Sequence, residues 1–335
     1  ILSRGLGDVY KRQTETVPGY EKYYVPDKSK LAIFATIGLV LSIYGAASVM
    51  NDMTFGDPEQ PTSSWNILWI GLFFFAATLF SWFRIAIKEN IAGMNSAQLK
   101  KSYVLGMFWF IFSEVMFFFA FFGVLFYVRN LAGPWLASEG DGGRMNYLLW
   151  EGFEFTWPMM QTPQEAVGGA AAQPIADNGS FSSAQQSMAF AEAHAWWAWL
   201  PLWNTIILLS SSVTVHIAHT GLLDDNRRKF NTWLAITVAL GLTFVGLQIA
   251  EYYEAYAHFG LTLNSGIYGS TFFMLTGFHG FHVFMGMTML AIQLYRSVRN
   301  HHFTKEDHFG FEASSWYWHF VDVVWVGLFL FVYIL

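Results

Sequence analysis

The strongest candidate for chemistry is an acid in an apolar setting. Glu114 lies in a run whose helical neighbours Phe110, Ile111, Phe117 and Phe118 are all apolar. A carboxyl near the centre of a bilayer costs on the order of 3 kcal/mol on insertion scales. Such a group is retained for proton movement, for a contact with another subunit, or for a hydrogen bond to a neighbouring helix, and the sequence leaves these open. Four pairs of ionisable residues stand three apart: His216 with His219, Glu251 with Glu254, His279 with His282, and His319 with Asp322. That spacing puts both members of a pair on one helix face. Gly277 and Gly280, beside the third pair, permit a close approach of two helices there.

Histidines near carboxylates raise the question of metal. A di-iron site in a helix bundle needs Glu-x-x-His on two helices and two further Glu. Glu-x-x-His occurs nowhere in this chain. The pairs are therefore read as a membrane-embedded polar network that bridges helices, with no metal and no haem assigned. A second group, His301, His302, Glu306, Asp307 and His308, is read as surface-lying. His301, His308 and Asp307 are candidates for collecting protons there, since imidazoles titrate near neutrality; an ordinary solvated loop is the other reading. Trp82, Arg84, Lys88 and Lys101 carry the chemistry of a lipid headgroup contact, with cations for phosphate and an indole for the interface.

These residues have to be positioned by membrane helices. Hydrophobic residues make up 54% of the chain, aromatics 19% and charged residues 13%. The charged share is about half that of a soluble domain, and one soluble core could not hide so much apolar surface. Seven stretches approach the roughly 20 apolar residues that cross a bilayer: Leu31–Met50, Trp65–Phe83, Tyr103–Val128, Trp196–His219, Thr232–Tyr256, Ile267–Tyr295 and Ser314–Leu335. The fold class is thus an all-α membrane protein with seven transmembrane helices. With the N-terminus cytoplasmic, sixteen of the 18 Lys and Arg fall on the inner side, and only Arg129 and Arg144 fall outside. This positive-inside bias sets the orientation and places the C-terminus outside. The absence of Cys excludes disulfides, thiolate zinc, iron–sulfur clusters and a thiolate-bridged copper centre. No basic patch with interleaved aromatics points to nucleic acid.

Two segments stand apart. Residues 1–30 form a cytoplasmic N-terminal segment, in which Ile1 to Gln13 lacks an initiator Met and an apolar h-region and reads as foreign to the rest of the chain. Residues 130–195 form a long acidic extracytoplasmic loop with a flexible-looking middle, Gly168-Gly-Ala-Ala-Ala-Gln-Pro. It is either a tolerated insertion or a docking surface for a basic partner.

Several runs together resemble the cytochrome c oxidase subunit III family. They are Ser113-Glu114-Val115-Met116-Phe117-Phe118, Pro201-Leu202-Trp203-Asn204-Thr205, Glu251-Tyr252-Tyr253-Glu254, Thr276-Gly277-Phe278-His279-Gly280-Phe281-His282-Val283, and Trp316-Tyr317-Trp318-His319-Phe320-Val321-Asp322. The resemblance implies a two-helix bundle and a five-helix bundle around a V-shaped lipid cleft. It implies a subunit without redox centres of its own, in a complex that oxidises cytochrome c, reduces oxygen and pumps protons. Haem a and copper would reside in partner subunits. This chain would bind phospholipids, pack directly against catalytic subunit I with subunit II in the same complex, and support proton uptake. Glu114 would be the buried acid, and Trp82, Arg84, Lys88, Glu89, Arg296, Arg299 and His302 would contact lipid headgroups. A bacterial plasma membrane is the expected location, ahead of the mitochondrial inner membrane. The alternatives are subunit III of a quinol oxidase, which usually has five spans, and a proton or ion transporter. The inverted repeats and broken helices common in transporters are not found.

Overall fold

A computed structural model describes residues 29–55, 63–140, 145–168, 184–192, 195–305 and 307–335. The expectations for residues 1–28, for Glu306 and for the middle of the 130–195 loop lie outside the described residues. The regular elements among the described residues are all helical, as the apolar runs require, because in lipid a backbone satisfies its polar groups only within helices or closed barrels. Among the described residues, seven helices are long and apolar enough to cross a membrane. They are α1 (Leu31–Phe55), α2 (Ser64–Ile91), α3 (Ala97–Tyr127), α4 (Leu200–Leu223), α5 (Arg227–Glu254), α6 (Gly266–Asn300) and α7 (Phe309–Leu328).

Most helices outrun the apolar stretches that predict them. Helix α3 continues through a π-helical turn, Val128–Ala132, to Leu136, and α5 and α7 end in similar turns at Ala255–Phe259 and Phe329–Ile334. Helix α4 starts late, at Leu200, because Trp199 is extended and Pro201 occupies the first turn, where a missing N–H costs nothing. Helix α5 starts early because the Asn226 side chain accepts a hydrogen bond from the Lys229 N–H at 2.9 Å.

The chain divides into two compact units, Ile1–Leu105 and Gly106–Leu335. In the first unit α1 packs along α2 through small side chains. Gly38, Ser42 and Gly45 are buried on α1, and Ser64, Gly71 and Thr78 are buried seven apart on α2. The Ser64 hydroxyl donates to Asp52 at 2.5 Å, tying the start of α2 to the last turn of α1. In the second unit α4, α5, α6 and α7 enclose an aromatic core, with Trp318, Trp325, Tyr268, Phe244 and Phe311 among its buried members. The polarity is that of a protein in an apolar solvent. Asn204, Ser211, Thr237 and Thr276 have no exposed surface, whereas Phe119 and Val323 are largely exposed.

The 130–195 segment differs from a loose loop. The Met159 carbonyl accepts a hydrogen bond from the Tyr268 N–H at 3.0 Å, and the Phe259 carbonyl accepts one from the Gln185 N–H at 2.8 Å. Trp157 meets Tyr268 edge to face at 5.7 Å, and the Trp199 indole donates to the Met188 carbonyl at 3.3 Å. Arg129 stacks over Trp157 and donates to the Leu335 carbonyl. The described ends of this segment therefore form a cap on the second unit, because their aromatic residues find buried partners on α6 and near the C-terminus.

Candidate functional site: a helix acid paired with a histidine

Three elements build the site. Glu114 stands near the middle of α3, His282 near the middle of α6, and Tyr317 and Phe320 on α7. The Glu114 Oε2 lies 2.9 Å from His282 Nε2. The two residues stand 168 apart in the chain, and no local pattern signals their pairing. Aromatic rings box in the imidazole: Phe118 at 5.0 Å, Phe117 at 6.0 Å, and Tyr317 stacked at 6.3 Å. Glu114 itself keeps a quarter of its side chain accessible on this chain's surface.

The hydrogen bonds fix the number of protons. His282 Nδ1 lies 2.6 Å from the carbonyl of Phe278. A carbonyl can only accept, so Nδ1 carries a hydrogen. In a neutral imidazole Nε2 is then a bare lone pair, and a bare lone pair facing a carboxylate oxygen at 2.9 Å would be repulsive. One proton must lie between the two. It either sits on Glu114 and is donated to Nε2, or it makes His282 an imidazolium that donates to the carboxylate. Both arrangements leave the pair neutral overall, which makes it tolerable in an apolar surround. The geometry thus places one shared proton between α3 and α6.

The other predicted pairs separate into distinct contacts. His279, one turn before His282, points elsewhere: its Nε2 donates to the Val321 carbonyl at 3.2 Å, and its ring packs on Trp325 and Phe244. His319 Nδ1 meets the Ser212 hydroxyl at 2.8 Å, with Asp322 Oδ2 3.5 Å away. Glu251 is fully buried and accepts a hydrogen bond from the Tyr333 hydroxyl at 2.7 Å. Tyr333 is not among the residues singled out from the sequence, since a tyrosine in the last turns carries no pattern that marks it as a partner. Glu254 is half-buried.

Three expectations need correction. His216 is exposed on α4 and takes no part in a described hydrogen bond or ion pair, because the helix turns it away from the side that packs. Gly277 and Gly280 do not mark a tight crossing. A Cβ at these positions would meet only Tyr252 Oη at 3.4 Å and Gln248 Cγ at 3.9 Å, which is ordinary contact. His308 is not a free surface group. Only 10% of its side chain is accessible, and it packs against His219 with ring centroids 5.5 Å apart. His301 is exposed and caps the end of α6 with a positive φ, and Asp307 is half-buried.

The headgroup candidates fall on two elements. Trp82, Arg84 and Lys88 are exposed on the last turns of α2, with Glu89 half-buried beside them. Arg299 is exposed at the end of α6, while Arg296 donates to Gln293 at 2.9 Å and lies over Phe303 at 4.8 Å. Burial first, and the neighbouring Arg296 cation second, hold the His302 imidazole below its ordinary value. It is thus neutral at pH 7 and supplies no charge to a phosphate.

The family model for cytochrome c oxidase subunit III matches residues 21–134 and 197–335. The chain belongs to the cytochrome c oxidase subunit III family. Both members of the Glu114–His282 pair fall within the matched residues. The unmatched stretch coincides with the acidic loop read from the sequence. A cytochrome c oxidase subunit 3 from Branchiostoma lanceolatum is 39% identical over 272 residues, covering 81% of this chain and 84% of the relative. The subunit 3 of Scyliorhinus canicula is 37% identical over 268 residues, covering 80% and 83%, and that of Oryctolagus cuniculus is 36% identical over 269 residues, also covering 80% and 83%. Like other members of the subunit III family, the chain is a multi-pass helical membrane protein.

Proposed function

We propose that this chain serves as the non-redox third core subunit of a proton-pumping cytochrome c oxidase, stabilising catalytic subunit I and supporting proton uptake. The observation that carries this reading is the 2.9 Å contact between Glu114 and His282, whose other ring nitrogen is held by the Phe278 carbonyl, so that the two share one proton. A group that can release or accept a proton at membrane depth is suited to buffer protons there. Haem a and copper belong to the partner subunits, subunit II sits in the same complex, and cytochrome c is the electron donor to it. Seven spans favour the cytochrome c type over a quinol oxidase. The N-terminus lies in the cytoplasm, and the membrane is a bacterial plasma membrane in the first reading and a mitochondrial inner membrane in the second.

Glu114→Gln tests the proposal. The amide can still donate one hydrogen bond to His282 Nε2, so packing and assembly are expected to change little, but no proton can be exchanged. Proton uptake by the purified complex during a single turnover is expected to slow several-fold, with haem content unchanged. Wild-type uptake accompanied by a lowered unfolding midpoint would make Glu114 a structural partner only.

Lipid binding is the second part of the reading. Arg299 and the α2 residues Trp82, Arg84, Lys88 and Glu89 are its proposed headgroup contacts, supported by their position at helix ends. An apolar cavity of about 440 Å³ between α3 and α7, lined by Phe108, Ile111, Phe112, Val115, Trp316 and His319, has the character of an acyl-chain site. At pH 7, Arg299→Gln is expected to lower the anionic lipid retained through purification, measured by mass spectrometry of the extract. His302→Gln is expected to leave it unchanged, because that imidazole is already neutral. An equal loss in both variants would return His302 to the headgroup site.

A further inference from the structure

At the end of the second unit where α4 stops and α7 starts, His219, His308 and Glu312 converge. Each offers one ligand atom, and these atoms all lie within 4.8 Å of one another. His308 and Glu312 are four apart at the start of α7, so both side chains leave the same face, and His219 comes across from the last turns of α4. Glu312 Oε1 is 3.7 Å from His308 Nε2 and 3.9 Å from His219 Nε2. None of these is a hydrogen bond, which needs about 2.7–3.2 Å.

The tautomer of His308 sharpens the point. Its Nδ1 lies 3.0 Å from the Thr304 carbonyl, which can only accept, so the hydrogen is on Nδ1 and the Nε2 lone pair faces Glu312. His219 Nε2 is buried and has no hydrogen-bond partner. Two imidazole nitrogens and a carboxylate oxygen thus surround one point. A backbone carbonyl behind a ligating histidine is the usual outer-shell arrangement that orients the ring and fixes its tautomer. We propose that His219, His308 and Glu312 form a binding site for a divalent transition-metal cation of the zinc type, with water in the fourth position.

The dimensions suit that ion. Zinc binds nitrogen and carboxylate oxygen at about 2.0–2.2 Å, so tetrahedral ligands stand about 3.3 Å apart. The separations, 3.7 and 3.9 Å to the carboxylate and all three within 4.8 Å, close to this by side-chain rotation. All three side chains are partly accessible, His219 at 27% and Glu312 at 33%, so an ion can enter and a water can remain. Thiolate, which this chain lacks, is not required, because two His and one carboxylate are a common zinc set. The site lies apart from Glu114–His282 and shares no residue with it. A cation there would pin the start of α7 to the end of α4, across the short α4–α5 turn and the α6–α7 loop.

The test uses the full chain, tagged and purified in mild detergent with whatever partner chains accompany it. The preparation is stripped with a chelator, equilibrated with zinc alone, and assayed for zinc per chain. Wild type is expected to hold one zinc more than Glu312→Gln and than His219→Gln, which removes a ligand from a different helix. Affinity at this site should fall by more than the about 10–100-fold that loss of an outer-shell partner costs. Zinc-edge absorption of the wild type alone should show a nitrogen and oxygen shell with imidazole scattering, a readout that stands even if a variant fails to fold. Equal zinc in wild type and both variants, or an edge spectrum without imidazole, would overturn the proposal.

Discussion

Trp318→Ala is expected to cost about 3–5 kcal/mol, the range for removing a fully buried large aromatic. The indole joins three helices to α7 at once. Its Nε1 donates to the Ser211 hydroxyl of α4 at 2.9 Å. Its ring lies so close to α5 and α6 that a Cβ at Gly241 would fall 2.8 Å from Trp318 Cη2, and one at Gly286 would fall 3.0 Å from Trp318 Cε3. Lipid tails are as apolar as a helix surface, so these helices are held together by packing and interhelical hydrogen bonds more than by exclusion from solvent. Removing the ring leaves a cavity at their meeting point and a Ser211 hydroxyl without its donor. Trp318→Phe keeps most of the ring and loses the hydrogen bond, so a smaller cost of about 1 kcal/mol is expected. Thermal unfolding midpoints of the purified assembly order the variants: alanine far below phenylalanine, and phenylalanine just below wild type. In the Ser211→Ala background the Trp318→Phe cost should fall by the share owed to the bond, since the two act through it, and keep the share owed to the lost ring atoms. An alanine variant as stable as phenylalanine would mean that the three helices do not depend on this ring.

Gly71→Leu carries the second large effect, in the first unit. A Cβ built on Gly71 would overlap the backbone nitrogen of Ser42 and lie 2.7 Å from the carbonyl carbon of Leu41. Neither is the movable end of a side chain. The same holds in reverse at Gly45, where a Cβ would lie 2.5 Å from the backbone nitrogen of Leu68. Helices α1 and α2 therefore approach until backbone meets backbone, and a leucine forces them apart along their whole contact. Insertion of extra methylenes into a packed interior costs about 1–3 kcal/mol when side chains can yield, and here they cannot, so a cost at or above that range is expected. Faster proteolysis of the α1–α2 connection and a lower midpoint are the readouts. Gly246→Leu is the control, because a Cβ there meets nothing within 4 Å. Equal sensitivity of Gly71→Leu and Gly246→Leu would show that the close approach of α1 and α2 is not a source of stability.

Much of the architecture was legible in the residue order. Seven apolar runs of bilayer length, an odd span count and a one-sided distribution of Lys and Arg follow from composition along a line, because each membrane helix satisfies its own backbone and needs no distant partner to exist. Glu114 stood out for the same local reason: a charge-bearing side chain amid phenylalanines is improbable unless something distant compensates it. The helix ends were less legible. Asn226, Pro201 and the π turns after α3, α5 and α7 move the boundaries by capping and backbone hydrogen bonding, which hydropathy does not register.

Partnership was the part that residue order could not supply. Pairs three apart, such as His279 and His282, share a helix face, yet one reaches α7 and the other reaches α3, because a face roughly 100° wide meets more than one neighbour in a bundle. The same geometry brought Tyr333 to Glu251, exposed His216, and drew His308 inward to His219 and Glu312. The glycines that matter, Gly71, Gly45, Gly241 and Gly286, are those that a second helix happens to cross, while Gly277 and Gly280 meet only flexible side-chain ends. Residue order alone was enough to specify a seven-helix membrane protein with an acid set among apolar residues and the marks of its family. Which groups share a proton, which nitrogens are left facing one another and where helices touch were settled by packing in three dimensions. Those contacts depend on the rotation and crossing of helices far apart in the chain, and no local pattern encodes either.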